Sequence, residues 1–321
     1  MLNGKEILIT GGTGSLGKTL LKILATEYQP KGIRIFSRDE LKQWELQNEI
    51  KKWNTNIPIA FLLGDVRDKE RLERACQHVD IVINCAAMKQ VPSCESNPFE
   101  AIETNIIGAK NLINACIDNG VQACMHVSTD KAVYPVNLYG KTKAVAESLF
   151  IYGNTYSGNN GTKFNVCRYG NVLGSRGSII PLFREQAKSG MITLTDGKMT
   201  RFWITLDAVA RFIIERFTFN GREAGSIFIP KMPTAKVFDI AQVVAPEAEI
   251  LLTGIRKGEK VHECLITFEE SRFLADNNYY YVLSPLDEAK TKFNNWAYYT
   301  DTNEWQLTKE EIKELIHANN L

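Results

Sequence analysis

Thr10-Gly11-Gly12-Thr13-Gly14-Ser15-Leu16-Gly17 follows the apolar run Lys5–Thr10 and opens a helical pattern over Gly17–Tyr28. A buried strand, a glycine turn and a helix in that order predict the first unit of a dinucleotide-binding fold. Gly11 permits the tight turn, Gly14 lets a pyrophosphate approach the backbone, and Gly17 lets helix and strand pack closely. The unpaired N–H groups of the helix N-terminus favour the anion. A glycine turn alone is common and structural; its position between strand and helix makes it a cofactor loop.

Further strands are expected at Gly32–Ser37, Ala60–Gly64, Asp80–Ala86, Ala123–Ser128 and Lys163–Tyr169, with helices over Pro98–Asn119 and Leu138–Tyr152. This alternation predicts an α/β fold with a Rossmann-type, doubly wound parallel sheet and right-handed crossovers. After Gly170 the regularity weakens. Gly174, Gly177, Gly190 and Gly197 interrupt it, and Ser226–Ile229 and Glu249–Thr253 are short. Residues 1–170 are therefore expected to form the dinucleotide-binding domain, and 171–321 a smaller α/β substrate-binding lobe. A helix over Leu206–Phe217 is expected to pack back on the first domain. Thr308 and Glu311 have the spacing of a capping box opening a last helix, Lys309–Ala318.

The chain has 321 residues, 44% hydrophobic and 23% charged, with a net charge of +1. Such a balance argues for a soluble globular protein and against a nucleic-acid or membrane surface. Met1-Leu2-Asn3-Gly4-Lys5 leads into a strand without a signal-peptide pattern. No apolar run reaches the ~18 residues of a membrane span. The seven cysteines, at 76, 85, 94, 116, 124, 167 and 264, form no CxxC pair, as expected of reduced thiols in the cytoplasm. The histidines at 78, 126, 262 and 317 are dispersed, so no metal is expected. His126, inside a strand, reads as a core residue.

Tyr139 and Lys143 stand one helical turn apart and share a face. A nearby cation favours the phenolate, so Lys143 is expected to make Tyr139 a base near neutral pH, as hydride removal from an alcohol requires. The plain alternative is an exposed pair, which the six preceding elements and the glycine loop oppose. Thr129-Asp130-Lys131 adds an acid and an amine, extending the chemistry beyond oxidation; its plain alternative is an ion pair at a strand end. Ser37-Arg38-Asp39 ends the second strand. The Arg38 fork suits a 2′-phosphate, so NADP is expected, while Asp39 leaves NAD open. Asp65-Val66, ending the third strand, is placed to meet the adenine.

The glycine spacing, Tyr139-x-x-x-Lys143 and the strand order resemble the extended short-chain dehydrogenase/reductase superfamily. Six segments narrow the likeness: Ser37–Lys42, Cys85–Pro92, Ser128–Ala132, Arg168–Ser178, Met199–Ile204 and Gly254–Lys260. Together they are similar to the inverting UDP-N-acetylglucosamine 4,6-dehydratases, the enzymes that open the pseudaminic acid pathway. The likeness runs to about residue 285, and 286–321 match poorly. Gln90 stands where the family usually has histidine.

The resemblance implies a tightly held, recycled NADP contacted by Gly11, Thr13, Gly14, Ser15, Leu16, Gly17, Ser37, Arg38, Asp39, Lys42, Asp65, Val66, Ala86, Asn105, Tyr139 and Lys143. It implies UDP-N-acetylglucosamine contacts at Lys89, Asn171, Arg176, Gly177, Ser178, Ile179, Thr195, Arg201, Arg256 and Glu259, and a homo-oligomer. Tyr139 would take the O4 proton beside Thr129, Lys131 the C5 proton, and Asp130 would protonate the departing O6. Lys131 must then be neutral, its pKa lowered in a dry site near other cations, while burial keeps Asp130 protonated. A C5-retaining dehydratase would typically carry Asp-Glu after the threonine. A UDP-hexose 4-epimerase needs the Tyr–Lys pair alone. An NADP-binding regulator without catalysis needs neither.

Overall fold

The computed structural model describes residues 2–158, 161–175, 177–217, 224–286, 293 and 296–319. Six strands come in the expected order: β1 (Glu6–Thr10), β2 (Gly32–Ser37), β3 (Ile59–Leu63), β4 (Ile81–Asn84), β5 (Ala123–Val127) and β6 (Lys163–Cys167). Ile7, Leu8 and Ile9 are all buried, as in a parallel strand covered on both faces. The helices of this half are α1 (Ser15–Glu27), α2 (Glu40–Ile50), α3 (Lys69–Cys76), α4 (Val91–Ser96), α5 (Pro98–Ile102), α6 (Gly108–Asp118) and α7 (Leu138–Ser157). Asp39 and Asp68 cap α2 and α3 by accepting from the backbone N–H groups of Lys42 and Arg71. The helix expected over Pro98–Asn119 contains a π-helical turn, Glu103–Ile107, between α5 and α6. Asn105 lies in it, and such turns frequently accompany functional sites.

The second half contributes β7 (Asn171–Val172), α8 (Ile179–Ala187), β8 (Met191–Leu194), β9 (Thr200–Ile204), α9 (Leu206–Arg216), β10 (Ile227–Pro230) and β11 (Thr234–Lys236). Then follow α10 (Val237–Val244), β12 (Glu249–Leu252), β13 (Cys264–Ile266), β14 (Leu274–Asp276), β15 (Tyr280–Leu283), β16 (Tyr298–Tyr299) and α11 (Lys309–Ala318). The Thr308–Glu311 capping box is present at the start of α11.

The main sheet has nine strands in the order β14-β15-β10-β6-β5-β4-β1-β2-β3. β10 extends the parallel array, and β15 and β14 close it antiparallel. Three strands from beyond Gly170 thus belong to the same sheet, and Arg211 of α9 pairs with Glu27 of α1 at 2.7 Å. A second, smaller core gathers Ile180, Phe183, Ile192, Leu194, Trp203, Ile240, Ile312 and Ile316. The strand order reverses where β1 lies between β4 and β2, leaving the crevice in which open α/β sheets bind ligands.

One buried cluster ties the halves together. Arg168, just after β6, donates from Nε and Nη2 to Glu147 on α7 (3.0 and 2.7 Å). It also donates to both Glu270 oxygens (2.9 and 3.0 Å) and to the Leu265 carbonyl (2.8 Å). Arg168→Met leaves the Glu147 charge buried without its partner. We expect a loss of about 3–5 kcal/mol of stability, read from denaturant melts at neutral pH.

Candidate active site

The crevice is a cavity of about 600 Å³, open to solvent. The glycine loop forms its floor. Gly11 has φ +65°, and a Cβ there would lie 2.8 Å from the Ala86 backbone nitrogen, so β1 and the segment after β4 approach too closely for any side chain. A Cβ on Gly17 would lie 2.5 Å from the Gly12 Cα, whereas one on Gly14 would meet only the Gly11 carbonyl, at 3.2 Å. Gly14 begins α1 without a side-chain cap, which leaves first-turn N–H groups for an anion. Thr13, Ser15, Leu16, Ser37, Arg38, Asp39, Lys42, Asp65, Val66 and Ala86 line the same cavity. Lys42 bonds both Asp39 carboxylate oxygens, and Arg38 stands 61% exposed, 3.7 Å from Asp65.

Asn105 does not line the cavity. It accepts from the Met88 N–H (2.8 Å) and donates to the Met88 carbonyl (3.0 Å) and to Thr142 (2.9 Å). It therefore holds the Cys85–Gln90 segment against α7 from behind.

Thr129, Lys131, Tyr139 and Lys143 line the same cavity. Asn137 caps α7 by accepting from the Gly140 N–H at 2.8 Å. Gly140 lets the helix touch the catalytic turn, since a Cβ there would fall 2.1 Å from the Lys131 carbonyl oxygen. Asp130 is fully buried; Thr129 and Lys131 donate to its Oδ1 (2.9 and 3.0 Å), and its Oδ2 finds no partner among the described residues. Burial raises its pKa although Lys131 opposes the rise, in the direction expected of an acid that keeps its proton.

Two electrostatic expectations are corrected. Burial works against the Lys131 charge, but Asp130 and Glu263 outweigh it and hold that amine above its ordinary pKa, not below it. Sequence spacing could not reveal Glu263, whose Oε1 lies 3.6 Å from Lys131 Nζ. Burial likewise pushes the Tyr139 phenol up to about 12, and the cation opposing this is Lys131. Lys143 shares the helix face as expected, but its ammonium reaches down to the sheet. It donates to the Val127 carbonyl (2.6 Å) and lies 2.9 Å from His126 Nε2. Burial lowers the Lys143 pKa to about 8 and keeps His126 neutral. From His126 a buried chain of contacts runs through Asn84 (2.9 Å) to Thr10 (2.6 Å), at the foot of the glycine loop. His126 is thus a core residue, and also the partner of the site lysine.

Of the expected substrate contacts, Lys89, Asn171, Gly177, Ser178 and Ile179 line the cavity. Asn171 Oδ1 and Ser178 Oγ are buried with no partner among the described residues, as is the Nε1 of Trp203 beside them. Three unsatisfied polar atoms on residues that line one cavity suit a polar ligand. Thr195, Arg201, Arg256 and Glu259 do not line it. Thr195 donates to the Met199 sulfur (3.2 Å), and Arg256 and Glu259 close a turn on each other. Arg201 donates to the carbonyls of Val261 and Lys260, both at 2.9 Å. Arg176 lies outside the described residues. Among the described residues, no His/Cys/Asp/Glu group could hold a metal, and no helix is long and apolar enough to cross a membrane.

The model of a family described as polysaccharide biosynthesis protein matches residues 7–285. A UDP-N-acetylglucosamine 4,6-dehydratase (inverting) from Campylobacter jejuni subsp. jejuni serotype O:2 is 44% identical, over 99% of this chain and 98% of its own. Its alignment therefore extends into the residues after 285, which by motif match poorly. A UDP-glucose 4-epimerase from Rickettsia canadensis is 38% identical over 98% and 96% of the two chains. The X-ray structure of Pen from Bacillus thuringiensis is 36% identical, with a TM-score of 0.91, and covers 100% of this chain and 99% of that one.

Lys143 supplies a pH test. In the folded chain its pKa is about 8, against an ordinary 10.5. Between those values the unfolded chain holds a proton that the folded chain lacks, so stability rises with pH across that window. The cost of burying Lys143 is greatest below pH 8. Lys143→Met should therefore be more favourable to stability at pH 7 than near pH 10, by up to about 3 kcal/mol, in paired denaturant melts.

Proposed function

The chain belongs to the polysaccharide biosynthesis protein family, and from that premise we propose that it is a hydro-lyase of the short-chain dehydrogenase/reductase type. It dehydrates UDP-N-acetylglucosamine across C5 and C6 with inversion at C5, as the first step of pseudaminic acid-type sugar synthesis. The observation that carries this reading is the Asp130–Lys131 pair, at 3.0 Å, in which Lys131 lines the cavity together with Tyr139 and the fully buried Asp130 stands behind it. A 4-epimerase, the name of the Rickettsia relative, needs a Tyr–Lys pair but no buried acid and amine beside it.

The glycine cradle, the uncapped start of α1 and the cavity wall at Ser37, Arg38 and Lys42 fit a nicotinamide dinucleotide. Bound there, it would supply a hydride acceptor for C4 of the sugar and a hydride donor for C6. Tyr139 takes the O4 proton, with the Thr129 hydroxyl beside it. The resulting 4-ketone acidifies C5. Lys131 takes the C5 proton and Asp130 gives its own to O6, which leaves as water; after hydride addition at C6 the enolate is reprotonated at C5 from the opposite face. Asn171 and Ser178 face the sugar nucleotide from the lobe side, and Lys89 from the segment after β4. Burial lowers the Lys89 pKa.

NADP is preferred because the exposed Arg38 fork, held only loosely at 3.7 Å from Asp65, lines the cavity, whereas Asp39 is engaged by Lys42. A cytoplasmic setting agrees with the seven unbridged thiols. A homo-oligomer agrees with the exposed Val145, Tyr152 and Tyr156 along α7, and Phe99 on α5. Residues 1–170 would hold the cofactor and the lobe after 171 the sugar, with α9, β10, β14 and β15 returning to the sheet.

Proton NMR of the purified protein with UDP-N-acetylglucosamine in deuterated water tests the reaction. We expect a new C6 methyl signal, deuterium at C5 and the couplings of an L-arabino 4-keto sugar. A D-xylo pattern means retention at C5, and C4-epimerised substrate without a methyl means an epimerase. For the cofactor, Arg38→Ala should weaken NADP at least tenfold more than NAD in titration calorimetry; equal weakening removes the 2′-phosphate argument.

A further inference from the structure

The proposed dehydration asks Asp130 to hold a proton and Lys131 to lack one, although the two side chains are in contact at 3.0 Å. A second set of charges closes on them from the other half of the chain. Glu263 is 3% exposed, with Oε1 3.6 Å from Lys131 Nζ and Oε2 3.2 Å from Lys260 Nζ. Arg201 Nε stands 4.0 Å from the same carboxylate. The Glu263 backbone is fixed in turn. Its N–H donates to Thr300 Oγ1 (2.9 Å), and its carbonyl accepts from the Thr300 N–H (2.9 Å). Lys260 also donates to the Val133 carbonyl at 2.7 Å, two residues past Lys131. Arg201 is thus committed to the segment that carries Glu263, through the Val261 and Lys260 carbonyls, and Lys260 joins that segment to the residues just after Lys131.

We propose that Glu263, offset by Arg201 and Lys260, is a positioning residue that sets which member of the Asp130–Lys131 pair carries the shared proton. This rests on the dehydratase reading. Before elimination the working pair is a carboxylic acid and a free amine. The C5–H bond breaks and an N–H bond forms on Lys131, while the electron pair enters the C4–C5 enolate. As that enolate expels O6, the Asp130 proton goes to the departing oxygen. The pair is then carboxylate and ammonium, with no net change of charge. The new ammonium faces Glu263, which stabilises it. Arg201 and Lys260 oppose that stabilisation and keep Lys131 able to release its proton again. The charged or titratable groups facing Lys131 are Asp130 on its own turn, Tyr139 on α7, Arg201 on β9, and Glu263, with Lys260 behind it, before β13. Burial opposes the Glu263 charge, but Lys131, Arg201 and Lys260 outweigh it and hold that carboxyl below its ordinary pKa, so it stays an anion at working pH.

The test uses the cofactor-loaded chain and two variants that move the balance in opposite directions. The Lys131 side chain is titrated by carbon-13 NMR, and C5 deuterium incorporation from UDP-N-acetylglucosamine is followed, over about pH 7 to 12, since Lys131 is held above the ordinary lysine range. Glu263→Gln should lower the Lys131 midpoint and the acid limb of the exchange profile together by roughly one unit. Lys260→Met should raise both, and KM should stay within about twofold in each. Midpoints that do not move, or that move the same way in both variants, overturn the proposal. So does loss of stability in Glu263→Gln with an unchanged limb, which is what a purely structural role would give. If Glu263→Gln does not fold, Lys260→Met decides alone: an upward shift supports the proposal and none overturns it. A Lys131 midpoint that shifts as expected in a protein that makes no C6 methyl product would keep the charge coupling and sink the dehydratase reading.

Discussion

Arg168 uses all five of its N–H donors in one buried place. Its partners are Glu147 of α7, Glu270 and the Leu265 carbonyl of β13. Glu147 lies one turn after Lys143, so fixing it fixes the face of α7 that turns to the sheet. Leu265 follows Glu263 by two residues. A single guanidinium therefore sets the distance between the helix that carries Tyr139 and Lys143 and the segment that carries Glu263. Apolar side chains could fill the same volume at similar stability, but they would not fix orientation in this way.

The two site lysines illustrate how partners decide a charge. Both are buried. Lys143 meets a carbonyl and a neutral imidazole, so desolvation wins and its pKa falls to about 8. Lys131 meets two carboxylates, which more than reverse the same penalty. Tyr139 lies near the second lysine in electrostatic terms, although spacing along α7 ties it to the first. Burial thus holds the phenol protonated, and the two carboxylates hold Lys131 as an ammonium.

The sequence was most legible where function or sheet burial writes a local pattern. The glycine loop, β1 to β6 and the Thr308–Glu311 box each need particular residues within a few positions. α2 and α3 were missed because their faces are mostly polar, and only their aspartate caps announce them. β14 and β15 were missed because three or four apolar residues look alike in a lobe or at a sheet edge. The roles of Lys143 and Arg201 depend on where the end of a long side chain goes, which spacing does not encode. Glu263 is one carboxylate before a short strand, and its importance comes from Arg201 and Lys131, more than 60 positions away, as much as from nearby Lys260. Gly140 was the detectable omission: a glycine inside a helix, between two reactive residues, commonly marks a close backbone contact.

That contact has an evolutionary consequence. Where α7 meets the catalytic turn, main chain touches main chain, so the spacing between the phenol and residues 130 and 131 does not depend on which side chains occupy those positions. On the proposed mechanism, exchanging them would alter which protons move and to which face of a sugar, while the hydride machinery stayed in register. Such a frame can diversify its elimination chemistry through two positions, but it cannot add even a methyl group at Gly140 without rebuilding the turn.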